Sequence, residues 1–179
     1  MNRSIDRLTL APVCVSLILL LCTFNLSCSS SPCAPVFHAV EKLNSIAFHS
    51  FGSIERTDGS AGSGESIHID GALYVEDHGK WTMVGAPNEG RKSVGDEFKA
   101  ATSTSCHLEG TEFIDGESAD YFVTEGKVEG YNIHGRFWVS KSTGLLLQVN
   151  YTGDAEGMGN GRMSIHYEYS NVTAPIVSK

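Results

Sequence analysis

Residues 131–169 read YNIHGRFWVSKSTGLLLQVNYTGDAEGMGNGRMSIHYEY, and the period of this stretch decides the fold class. Tyr131, Ile133, Phe137 and Val139 alternate with Asn132, His134, Arg136 and Trp138. After the turn-forming residues 140–144 (SKSTG), Leu145, Leu147, Val149 and Tyr151 continue the alternation. A glycine-rich loop is expected over residues 153–161, followed by Met163, Ile165, Tyr167 and Tyr169 set against Ser164, His166 and Glu168. Apolar residues at every second position predict strands with one buried face. Three such strands in sequence form an antiparallel meander, whose apolar face must lie against another layer.

Upstream segments supply that layer. Residues 35–47 predict an amphipathic helix, with Val36, Val40, Leu43 and Ala47 on one face, Phe37 beside them, and Pro35 in the first turn. Phe48, Phe51 and Ile54 change to strand chemistry, and residues 57–66 (TDGSAGSGES) read as a loop with nothing to pack. Ile67, Ile69, Leu73 and Val75 then share one strand face, and His78-Gly79-Lys80 turns the chain into Trp81 and Met83. Val94, Phe98 and Ala101 predict the buried stripe of a short middle helix. Cys106 and Leu108 open another strand, and Asp115-Gly116 punctuates it as a hairpin turn before Tyr121 and Val123.

The start of the chain reads differently. Arg3 and Arg7 precede an apolar run from Val13 to Phe24, too short to span a bilayer and sized for the core of a signal peptide. Residues 1–27 are therefore read as an export signal, 28–34 as a polar tether, and 35–179 as one domain. Leu26-Ser27-Cys28 resembles the end of a bacterial lipobox, which makes Cys28 the candidate lipidation site; ordinary cleavage to a soluble product is the alternative. Cys28, Cys33 and Cys106 remain in the exported part, and three thiols in an oxidising space leave one over. With Cys28 acylated or removed, Cys33 and Cys106 are the natural disulfide pair.

The order of helix, strand meander, middle helix, RFWVSKSTGLLLQVNY and a closing Tyr-Glu-Tyr strand resembles the Lol-type lipoprotein-carrier half-barrel superfamily. PCAPVFHAVEKL, GALYVEDHGKW, TSCHLEG, FWVSKSTGLLLQ and IHYEYSNVTAP are also similar to a group of small exported bacterial proteins of unassigned function. The resemblance covers most of residues 33–175. It implies an α+β fold: a curved antiparallel sheet whose concave side is covered by the N-terminal and middle helices. It brings no catalytic residues with it.

Composition narrows the function. The 179 residues carry 13 basic and 21 acidic side chains, a net charge of −8, which argues against nucleic acid as a partner. No polybasic run would draw the chain to an anionic membrane, so attachment would come through lipid on Cys28. His68 with Asp70, His134 with Arg136, and His166 with Glu168 share strand faces, but opposite the apolar set, as a solvated surface would. No Gly-x-Ser-x-Gly or other nucleophile setting occurs, and neither a catalytic residue, a metal nor a cofactor is expected. The leading expectation is an exported binder or carrier of a hydrophobic ligand, a lipid or acyl chain, at the periplasm or the outer membrane. Its ligand-facing residues would be Phe37, Val40, Leu43, Phe98, Ile133, Phe137, Leu147, Val149 and Ile165. The alternative is a non-enzymatic interaction module whose helices fill the concavity completely.

Overall fold

Three short turns set the topology. Asp70-Gly71, His78-Gly79 and Asp115-Gly116 each hold two consecutive positive φ angles (51° and 77°, 51° and 80°, 51° and 84°). That mirror-image turn matches the twist of the strands it joins. The structure, a computed structural model, describes residues 32–85, 105–128, 131–155 and 159–177. Helix α1 (Ala34–Lys42) is followed by β1 (Phe48–Arg56), β2 (Ala61–Ile69), β3 (Ala72–Asp77) and β4 (Lys80–Gly85). The second run comprises β5 (Ser105–Ile114), β6 (Glu117–Val128), β7 (Tyr131–Ser140), β8 (Leu146–Ala155) and β9 (Gly159–Glu168).

All nine strands form one open, curved antiparallel sheet in the order β4-β3-β2-β1-β9-β8-β7-β6-β5. Two meanders are thus joined where β1 pairs with β9, Gly52 facing Ile165. After β9 the chain crosses to the outer strand of the first meander, where Val177 bridges Trp81 of β4. The expected α+β half-barrel is the observed fold, while the middle-helix segment lies outside the described residues.

The core lies under α1. Val36, Ala39 and Val40 of the helix pack with Cys33, Cys106, Phe122, Phe137, Val139, Leu146 and Val149 on one sheet face. A smaller cluster occupies the opposite face: Ala119, Trp138 and Leu147, with Ile114, Tyr121 and Tyr169 against them. The tip of the β5–β6 hairpin leans over this second cluster. Glu112 accepts a hydrogen bond from Trp138 Nε1 at 2.7 Å, and Asp115 reaches His166 at 3.1 Å.

Several expectations are corrected. Residues 61–66 are strand, not loop, because β2 is hydrogen-bonded between β1 and β3 along its length. The Asp70-Gly71 turn divides the supposed single strand, so Ile67 and Ile69 face away from Leu73 and Val75. His68 consequently lies on the helix side, stacked on Phe48 with ring centroids 5.4 Å apart. Much of the expected loop over 153–161 is ladder, with Gly153 paired to Gly161 and Ala155 to Gly159. Helix α1 ends at Lys42 rather than at 47, before Asn44 and Ser45, which favour turns over helix. Leu147 is displaced to the far face by a bulge, since Val139 pairs with Leu146 while Trp138 pairs with Gln148.

Candidate functional site

Helix α1 covers only part of its face. It packs on β7 and β8, and its apolar side chains fill the space above them. Farther along the same face, over β9, β1, β2 and β3, a trough of about 360 Å³ is left uncovered by the described residues. Its walls are Ile54, Val75, Met163 and Ile165, and its floor is made of glycine, serine and Glu65, whose carboxylate is engaged by His49 at 3.0 Å.

The floor has a definite register. Gly52 faces Gly64 on one side and Ile165 on the other. One step along, Gly62 faces Ile54, which faces Met163. At the opposite end Ser50 and Ser66 hydrogen-bond to each other at 2.7 Å. No buried side-chain polar atom among the described residues lacks a partner. The trough is therefore apolar in its walls, over a floor of mostly small side chains.

These glycines differ in kind from Gly135. A Cβ on Gly135 would lie 2.6 Å from the Phe137 ring and 2.7 Å from Thr124 Oγ1, so packing demands glycine there. At Gly52, Gly62 and Gly64 the nearest atoms to an added Cβ are 3.6, 3.4 and 4.0 Å away, ordinary contact distances. None of the three has positive φ. Glycine inside a strand weakens it, and where neither turn nor packing requires it, it marks close approach by a ligand or another backbone.

The residues expected to face a ligand divide by location. Val40, Phe137 and Val149 are buried in the core, with Phe37 and Leu43 packed against it. Ile165 lines the trough. Leu147 lies on the other face, in the Trp138 cluster. Ile133 belongs to β7, but its side chain and the whole of Phe98 lie outside the described residues. The reading from sequence passed over the glycines of β2. Their spacing of two, Gly62-x-Gly64, was the available signal, since one strand face without side chains leaves a hollow.

Cys33, just before α1, and Cys106 of β5 are both buried and lie against each other with no disulfide between them. Burial raises the Cys106 thiol far above its usual range, and contact with Cys33 adds to the effect. Cys28 lies outside the described residues. Between trough and core stand Tyr151 and Tyr167: burial pushes Tyr167 up to about 12 and raises Tyr151 too. Among the described residues, no three His, Cys, Asp or Glu side chains are grouped to hold a metal ion. No described helix is long and apolar enough to cross a membrane.

No family model matches the chain, and no curated protein matches its sequence. Solved structures do match its fold. MucB aligns over 80% of this chain at 16% identity with a TM-score of 0.50, and the chain spans 60% of MucB's length. The Mycobacterium tuberculosis lipoprotein LppX aligns over 78% of this chain and 96% of its own at 13% identity, with a TM-score of 0.44. LprF of Mycobacterium bovis aligns over 83% and 99% at 12% identity, with a TM-score of 0.43. MucB is also known in complex with MucA. The likeness to MucB is one of fold.

Proposed function

We propose that this chain is an exported bacterial envelope protein that binds a hydrophobic ligand, an acyl chain of a lipid, in the glycine-floored trough beside α1. The observation that carries the reading is the bare floor. Gly52, Gly62 and Gly64 have room for side chains and the backbone angles to carry them, yet they leave a hollow between Ile54, Val75, Met163 and Ile165. A volume of 360 Å³ lies at the small end of ligand pockets, about 300–1,000 Å³, and suits a single chain. Each methylene buried there contributes about 0.8 kcal/mol, so a chain of ordinary length offsets the cost of immobilising it. The leader-like residues 1–27 support export, and acylation of Cys28 would tether the domain to a membrane.

The test fills the hollow. Gly64→Val adds a strand-favouring side chain to the trough floor, and Gly52→Ala adds a smaller one should the first variant fold poorly. Native mass spectrometry of the purified full chain should reveal a copurifying lipid, and a fluorescent fatty acid should bind saturably. Gly64→Val is expected to weaken that binding at least tenfold without lowering the melting temperature. Wild-type protein free of lipid and unable to bind the fatty acid would sink the proposal, as would unchanged affinity in both variants. The packed interaction module would then be the surviving reading.

A further inference from the structure

The face turned away from α1 carries a second, chemically opposite hollow. We infer that it binds a phosphate ester of headgroup size through Arg136 and Arg162. The groove, about 890 Å³, crosses β6, β7, β8, β9 and β1 between two rows of side chains. The registers run Val123, Arg136, Asn150, Ser164, Ser53 in one row and Glu125, His134, Thr152, Arg162, Glu55 in the next.

The distribution of arginine singles out this groove. Six arginines occur in the sequence: Arg3 and Arg7 lie in the leader-like segment, and Arg91 lies outside the described residues. Of the other three, Arg136 and Arg162 line this groove, while Arg56, one position beyond Glu55 on β1, belongs to the opposite face and lines an adjoining hollow of about 640 Å³. With Glu55 and Glu125 in the same lining the groove is close to neutral, within a chain of net charge −8. Arg136 and Arg162 flank β8 two residues out of step. Their Cα atoms are therefore roughly 12 Å apart by strand geometry. Two arginine side chains are long enough to bridge that gap, over Asn150 and Thr152 of β8.

Chemistry over that gap favours an oxyanion. Neither Arg136 nor Arg162 has an ion pair among the described residues. Asn150 Oδ1 already accepts from Ser164 and Gln148, at 2.7 and 3.3 Å, which leaves its amide nitrogen as a donor toward the groove. Two carboxylates face the same space. Glu125 is engaged with His134 at 3.5 Å, and Glu55 stands opposite Arg162 across the β1–β9 ladder. Arg56 is partly occupied by Ser60. Planar guanidinium forks suit phosphate oxygens, which outnumber those of a carboxylate and are served by donors from two strands. The volume exceeds that of inorganic phosphate, so the group would be an ester carrying a hydroxylated body.

Two sources share this chemistry, a soluble phosphate ester and an anionic lipid headgroup. Titration of the full chain with glycerol phosphate, and separately with phosphatidylglycerol vesicles against phosphatidylcholine vesicles, distinguishes them. Saturable binding in either arm, following the arginine Nε–H resonances, supports the inference and identifies the source. Arg136→Gln and Arg162→Gln should each weaken binding at least tenfold, and Glu55→Gln should tighten it. Lys80→Gln removes the same charge from the distant β4 and should change affinity less than twofold. Absence of binding in both arms overturns the inference, as does a Lys80→Gln loss as large as that of the arginine variants.

Discussion

At the scale of single residues, the cysteines carry the most specific chemistry. The fold brings Cys33 and Cys106 into contact in a buried site, more than seventy positions apart in the chain. Burial keeps the Cys106 thiol protonated, and a protonated thiol reacts slowly with anything arriving from solvent. Its neighbour is the favoured partner once an oxidising compartment is reached. Alkylation of the exported protein in denaturant should therefore find Cys33 and Cys106 masked until reductant is added, and mass analysis should find Cys28 acylated. Two freely alkylated core thiols, or an unmodified Cys28 on a soluble product, would count against these assignments. Replacing the pair by alanine should cost about 2–5 kcal/mol if the bond forms.

At the scale of elements, α1 is a short helix held by three buried side chains, with Val36 and Ala39 both fully inaccessible. Val36→Ala should lower stability by about 2 kcal/mol, from lost transfer energy and the cavity left behind. His38→Ala, on the exposed side, should change it by less than about 0.5 kcal/mol, so urea titrations of the two variants test the assigned face. Elements with a strong apolar period, such as α1 and β7, were legible in the sequence because one face decides their burial. Strand β2 was not, because AGSGES has neither period nor β-branched residues and is ordered only by its neighbours β1 and β3. The bulge at Leu147 was equally hidden, since three consecutive leucines satisfy either register. The trough was missed for the same reason as β2. It is made by side chains that are absent, and a hydrophobic pattern records only those that are present.

At the scale of the whole molecule, alkaline pH probes the packing of the closing strand. Burial pushes Tyr167 up to about 12 from the ordinary value of 10 and raises Tyr151 and Tyr169 as well. A neutral phenol is favoured in the folded state, so the stability linked to it is intact below about pH 10 and lost as pH rises through about 12. Absorbance titration of tyrosinate should show part of the six tyrosines ionising late and together with unfolding. Ionisation of all six near pH 10 in folded protein would contradict the described burial.

The central pairing of β1 with β9 also dictates a timetable. Gly52 finds Ile165 only after more than a hundred further residues have emerged, and neither meander can supply the other's missing neighbour. Closure of so long a loop makes this one pairing slow to form beside the seven between consecutive strands. A nascent chain lacking β9 thus has its two meanders still unjoined, and a chain not yet locked is the one that can be threaded through a narrow secretion pore, as the proposed export requires.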